Sequence, residues 1–368
     1  MCSEKKVLGR TERRSKVTEA HTHGDISLHP KEWQTLTEKQ RYGKVESINI
    51  VSRRCSSLLA ELNCLVDYTD TVGPWTPHCL ALLGESGVGK TTLVRTWIRN
   101  ATALVASPLE ERIAPYVYVC LPASATPRGI MAACLDALGC QHFTLRSELE
   151  MMRRLLAELR TLSVRILCID NLEHLINREN RRMRFASLEV LEDLILLSGI
   201  STVLVGMLGE AEFVIQMSHR LDSLTGAPRI LQPFEWDPTR PETVNEFRTL
   251  LSTIDQALPL EHSGFDAEEV AHNIWYATDG ILGRIMMLLR YVALRAIRSG
   301  AMVISNSLLA QAYDACIDGT RMGVGKINPF LVPTYCDVQS AHMLDACARP
   351  RWRKGSHQYI KRTGEKKC

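Results

Sequence analysis

The chain has 368 residues, 45% hydrophobic and 23% charged, which is enough for one large or two ordinary domains with real cores and excludes wholesale disorder. Aromatics are only 6%, and the apolar content leans on Leu, Ile, Val and Ala, which suits helices and buried parallel strands better than an all-β sandwich. The net charge of +3 is unevenly placed: Arg349 to Cys368 carries eight Lys or Arg against the single acid Glu365, with Trp352 and Tyr359 interleaved. Such a ribbon suits phosphate-rich or acidic partners, although a solvated tail reads the same way.

Residues 1–40 read as a flexible N-terminal arm, polar and without periodicity. The start has no apolar run behind its charges, so no secretory signal is expected and the cytoplasm is the expected compartment. His21-x-His23 would hold a metal only with further ligands, and otherwise reads as a solvated pair. From Val45 to Asp67 apolar residues recur at helical spacing, predicting one amphipathic helix. Buried strands are expected at Cys79 to Leu83, Tyr116 to Leu121, Val164 to Asp170 and Thr202 to Gly206. Helices are expected between them at Thr91 to Ala103, Arg128 to Leu138, Ser147 to Thr161 and Ser187 to Leu197. That alternation predicts an α/β fold with a parallel sheet wrapped on both faces. The longest uncharged stretch, Leu194 to Gly209, is broken by Ser198-Gly199, so no membrane span is expected. After Pro233 the pattern is helical only, near 242–256, 266–277, 282–299 and 305–316. Residues 41–236 are thus expected to form the nucleotide-binding core, 237–318 a helical lid and 319–368 a basic tail. The 12 cysteines include no Cys-x-x-Cys pair and read as reduced core residues rather than a disulfide framework or zinc site.

Gly84-Glu85-Ser86-Gly87-Val88-Gly89-Lys90-Thr91 fits the P-loop pattern and lies between a predicted strand and a predicted helix, the context the motif demands. Glycines let successive N–H groups turn inward on phosphates, and the helix that follows adds its positive end. Lys90 is expected at the β and γ phosphates of ATP and the Thr91 hydroxyl on Mg2+, with Thr92 beside it. Arg165 to Asp170 is an apolar strand ending in an acid suited to hold the magnesium. Asn171 follows it, and an amide cannot act as a base. Glu173 could stand in if the backbone turns it toward the γ-phosphate; otherwise hydrolysis is slow and ATP serves mainly as a structural ligand.

The P-loop taken with Ile169-Asp170-Asn171-Leu172-Glu173-His174-Leu175, Thr202 to Met207, Leu231-Gln232-Pro233-Phe234, Ala257-Leu258-Pro259-Leu260 and a late Asn328-Pro329-Phe330 resembles the TnsC/TniB family. These are AAA+ regulators of Tn7-like transposons, including CRISPR-associated ones. The resemblance runs from about Val45 to Phe330. It implies an AAA+ P-loop NTPase with a central parallel sheet and a small all-helical lid. It further implies a homo-oligomer, ring or helical filament, that assembles with ATP on double-stranded DNA. Such an oligomer takes a target-selection signal from a TniQ-type protein and recruits a transposase. Thr278 to Arg284 is similar to the lid segment whose arginine senses the γ-phosphate, which makes Arg284 the sensor candidate. Where relatives offer an arginine finger, this chain has Leu224, and Arg220, one helical turn earlier, is the substitute. Arg128, Thr144 and Arg146 occupy segments that face DNA in the family, and Arg181, Arg182 and Arg184 form a denser basic cluster; all read equally as solvated arginines and a surface threonine. Two readings compete with this one: a STAND-type signalling ATPase that binds no DNA, and a helicase-loader or repair ATPase.

Overall fold

The computed structural model describes residues 32–72, 77–105, 114–140, 147–176, 181–317 and 327–331. They group into two compact units, one within residues 49–232 and one that joins residues 32–48 to residues 233–317 and 327–331. The expected helix from Val45 to Asp67 is two helices, α1 (Glu38–Ser47) and α2 (Ser56–Val72). The break falls at Ile48-Asn49-Ile50-Val51-Ser52, a run rich in β-branched residues, and Ile48 is already extended at φ −64°, ψ 114°. α1 belongs to the second unit and α2 to the first.

The first unit continues with β1 (Cys79–Gly84), α3 (Lys90–Val105), β2 (Tyr116–Cys120), α4 (Pro127–Ala137), α5 (Glu148–Thr161) and β3 (Ile166–Asp170). It closes with α6 (Arg181–Ser198), β4 (Ser201–Met207), α7 (Glu210–Gln216), α8 (His219–Thr225) and β5 (Arg229–Leu231). The five strands form a parallel sheet in the order β2-β3-β4-β1-β5. α7, α8 and β5 carry no clear period of their own: each is seven residues or fewer, too short to declare itself by spacing.

Both faces of the sheet are buried, and the period of two along each strand sorts side chains between them. Cys79, Ala81, Leu83, Val117, Val119, Leu167, Ile169 and Leu204 pack with α4, α5 and α6 on one face. Leu82, Tyr116, Ile166, Cys168, Val203 and Val205 pack with α2 and α3 on the other. Cys79 and Cys134 act as buried core residues, their thiols pushed up to about 12 by desolvation. Parity continues past the packed residues. In β3 the sequence 166, 168, 170 keeps to the α3 face, so the strand that fills the core delivers Asp170 to the side where the P-loop helix begins.

The second unit holds α1, α9 (Pro241–Ala257), α10 (Glu268–Thr278), α11 (Leu282–Ser299) and α12 (Asn306–Cys316). α1 starts with a capping box in which Thr37 and Gln40 satisfy each other's backbone N–H groups. Its Arg41 donates twice to the Pro259 carbonyl, at 3.1 and 2.9 Å, and stacks over Trp33. Arg290 of α11 donates to the Ile48 carbonyl. Asp255, 2% exposed, accepts N–H bonds from Ser263, Gly264 and Phe265 and shapes the turn after α9; desolvation raises its pKa against those bonds. Asn328 donates to the Ala310 carbonyl and to Asp314, and Phe330 packs edge-on against Tyr313, so the Asn-Pro-Phe tripeptide fastens the chain to α12.

Trp97 is the keystone of the α3 face: it is 1% exposed, donates through Nε1 to Asn63 Oδ1 at 2.9 Å, and meets Tyr116 edge to face. Trp97→Ala should destabilise the first unit by about 3–5 kcal/mol. A fall in the midpoint of urea unfolding, followed by fluorescence and circular dichroism, would register it.

Candidate nucleotide site

The loop from Gly84 to Thr91 leaves the end of β1 and enters α3 at Lys90. Gly87 and Gly89 take φ of +83° and +104°, values that a side chain would resist, and this lets the loop coil over the helix end. Val88 is buried at 1% and anchors the loop to the core; Glu85, Ser86 and Gly87 are exposed above it. Lys90 is 8% exposed and its Nζ donates to the carbonyls of Gly84 (2.9 Å) and Glu85 (2.8 Å). Burial pushes its pKa down, and the carboxylates of Glu173, Asp170 and Glu85 work against that shift. Its Nζ is thus held at the loop, on backbone carbonyls that phosphate oxygens would replace.

Thr91, on the first turn of α3, donates from Oγ1 to Asp170 Oδ2 at 2.6 Å. Asp170 is 2% exposed. A hydroxyl and a carboxylate in contact at the start of a P-loop helix are the donor set that a magnesium ion arriving with phosphates uses, oxygen only and partly through water. The site therefore fits Mg2+ with ATP, Thr91 and Asp170 being the residues to hold it. Among the described residues no trio of His, Cys, Asp or Glu gathers into a resident metal centre.

Beyond Asp170 the chain reverses. Asn171 sits in the left-handed region at φ 62°, ψ 47°, a conformation that Asn tolerates better than most residues. Its N–H bonds Asp170 Oδ1 at 2.8 Å, and its side-chain amide donates to Cys120 Sγ at 3.2 Å. The reversal leads into a 3₁₀ turn, Leu172–Leu175, whose two leucines are buried while Glu173 points back. Glu173 Oε2 accepts from the Met207 N–H at 2.9 Å, at the end of β4. Gly206 makes room for it: a Cβ there would lie 2.8 Å from Glu173 Oε2 and 2.4 Å from the Ala211 Cβ.

The structure thus brings Lys90 and Thr91, past the carboxyl end of β1, together with Asp170, Asn171 and Glu173 at the carboxyl end of β3, two strands with β4 between them, and Thr92 lies half-buried on the same turn of α3. Arg220 is exposed on α8, while Leu224, one turn on, packs against the core. Arg284 belongs to the helical unit, where its Nη1 pairs with Asp279 Oδ2 at 2.5 Å and Asp279 is itself left-handed at φ 55°. Arg128 is exposed at the start of α4, and Arg181 and Arg182 are exposed at the start of α6; Arg181 and Arg184 both stack on the ring of Phe185. Thr144, Arg146, the His21-x-His23 pair and the tail from 349 lie outside the described residues. The sequence reading passed over Tyr118, whose hydroxyl donates to Asp170 Oδ2 at 2.6 Å, and Arg95, whose guanidinium lies 4.4 Å from the centre of the Tyr118 ring. Strand parity held the clue, because residues 116, 118 and 120 face the α3 side. Burial, then the bond to Asp170, raises the Tyr118 pKa, so the phenol keeps its proton.

The fold is that of AAA+ P-loop ATPases. It is similar to the ORC2 protein of Aeropyrum pernix, solved as ADPNP-ADP complexes, with a TM-score of 0.58 and 15% identity over 75% of this chain and 72% of that one. Pyrobaculum aerophilum Cdc6p matches at TM-score 0.55 and 16% identity over 78% and 73%. The Aeropyrum pernix ORC1 protein in complex with DNA matches at 0.54 and 20% over 75% and 69%. No curated protein matches the sequence. The family model described as Bacterial TniB protein matches residues 43–224. That span holds the P-loop, the Asp170 strand, Glu173 and Arg220, and over it the chain matches the TniB family.

Proposed function

We propose that this chain is an ATP-dependent, DNA-binding regulator of transposition that hydrolyses ATP slowly. It assembles as a ring or helical filament on target duplex DNA and links a TniQ-type target-selection protein to recruitment of a transposase. The observation that carries this reading is the Lys90–Thr91–Asp170 cluster at the P-loop of a chain that matches the TniB family, followed by an amide rather than an acid. The fold shared with ORC and Cdc6 proteins, one of them solved with DNA, supports it.

On ATP binding, Lys90 exchanges the Gly84 and Glu85 carbonyls for β and γ phosphate oxygens, while the loop N–H groups and the start of α3 face the phosphate chain. Magnesium held by Thr91 and Asp170 would offset phosphate charge there. Asn171 cannot take a proton from water, and its amide is engaged with Cys120. Glu173 is the carboxylate left to orient a water, through Oε1 alone because the Met207 N–H holds Oε2, and this weaker substitute keeps turnover slow. Arg284 would leave Asp279 to sense the γ-phosphate, and Arg220 would serve a neighbouring subunit, since Leu224 is committed to packing. Slow turnover makes ATP an assembly signal that outlasts each encounter. DNA contact falls to exposed cations, Arg128, Arg181 and Arg182 among them, with Thr144, Arg146 and the basic tail as further candidates. These meet phosphates and read no bases. No described helix is long and apolar enough to cross a membrane.

Lys90→Ala should abolish nucleotide-dependent assembly on duplex DNA, measured by sedimentation; undiminished assembly would remove the P-loop from the mechanism. DNA affinity should be insensitive to sequence and should fall by about 10³ or more between 50 and 200 mM salt if roughly six phosphates are contacted. A flat salt profile in a filter-binding titration would instead favour a signalling ATPase. Glu173→Gln should lower kcat by about 10² or more and leave ATP affinity unchanged, whereas Asn171→Ala should leave kcat nearly untouched. A steady-state ATPase assay beside a nucleotide titration separates the two, and equal rates for Glu173→Gln and the unsubstituted chain would exclude Glu173 as the base.

A further inference from the structure

A carboxylate offers about four acceptor positions. On Asp170 three are filled: Thr91 Oγ1 and Tyr118 Oη both donate to Oδ2 at 2.6 Å, and the Asn171 N–H donates to Oδ1 at 2.8 Å. The terminal torsion of an aspartate is broad, so one donor alone does not fix the plane of the group. Two hydroxyls arriving at one oxygen from different elements do. Tyr118 comes from β2, where strand register sets Cys120 against Asp170 and parity turns 118 and 120 to the α3 face. The ring is then held from the far side. Arg95 lies four residues after Thr91, on the same face of α3, and stacks its guanidinium 4.4 Å from the ring centre. One helix therefore grips the carboxylate twice, directly through Thr91 and indirectly through Arg95 and Tyr118.

We propose that Tyr118 is a positioning residue of the magnesium site: with Arg95 behind its ring, it fixes Asp170 in the orientation that leaves one acceptor position for a metal-bound water. This rests on the reading that the P-loop binds a magnesium nucleotide. The Tyr118 hydroxyl bonds Asp170 rather than the P-loop, so its removal should act on the metal and spare the phosphate contacts of Lys90 and the loop.

The experiment titrates the full chain with a fluorescent ATP analogue, once in EDTA and once in excess Mg2+, and takes the ratio of the two dissociation constants as the magnesium gain. Tyr118→Phe should leave the EDTA constant unchanged and cut the gain about tenfold, as expected for loss of a hydrogen bond to a charged group. Arg95→Gln, which keeps the hydroxyl and removes the cation, should cut it by about two- to threefold. An unaltered gain in Tyr118→Phe overturns the proposal, as does an equal loss of affinity in EDTA and in Mg2+, the mark of a general structural role. Should circular dichroism show that Tyr118→Phe does not fold, Arg95→Gln decides: a reduced gain supports the assignment and an unchanged one overturns it. Absence of nucleotide binding by the unsubstituted chain in both buffers would overturn the nucleotide reading itself, and the assignment with it.

Discussion

The contact between Asp170 and Thr91 joins the end of a strand to the start of a helix whose sequence positions are 79 residues apart. For it to form, β3 must lie in register beside β2 and β4, and α3 must cover the face to which even-numbered residues of β3 point. Desolvating a carboxylate this fully is costly unless donors replace water. Hydroxyls from two further elements and a backbone N–H do so, which makes the carboxylate a fastening for the sheet as well as a part of the site. Structural and chemical demands converge on one side chain.

Much of this arrangement could be read before the fold was seen. The P-loop sits between strand and helix as its spacing demands, and the apolar runs of β1, β3 and β4 are buried on both faces, the condition under which a strand loses its alternation. What escaped was non-local or too short. The stretch from Val45 to Asp67 satisfies a helical period, yet backbone preference at Ile48 to Ser52 breaks it, and α1 is held by Pro259 and α11, more than two hundred residues on. Tyr118 reads as one more aromatic in an apolar strand; only the neighbouring strand gives its hydroxyl a partner. The side chain of Glu173 was ambiguous by spacing, since its direction depends on the sign of one dihedral angle at Asn171.

That dihedral merits a physical reading. A left-handed residue after a buried strand costs about 1–2 kcal/mol for most side chains and less for Asn. A glutamate at this position would meet that backbone strain and would add a charge beside Asp170. The amide avoids both, supports the reversal and bonds Cys120. Local rules are most often broken at functional positions, and here the residue that departs from the expected chemistry suits its backbone well. Its effect is to shift the remaining carboxylate chemistry to Glu173, whose seat is kept open by Gly206.

The placement of α1 has a consequence for how the molecule is made. The unit it belongs to is interrupted in sequence by the whole of the first unit, and its closing contacts, Arg41 with Pro259 and Arg290 with Ile48, span 218 and 242 residues. A chain emerging from the ribosome in order completes the five-stranded sheet by Leu231, before α9 to α12 exist. Through that interval α1 has no partner helix, and its return is a loop closure over a folded insert rather than over a free chain. Folding in the order of synthesis would therefore complete the unit that holds the sheet first and the helical unit last.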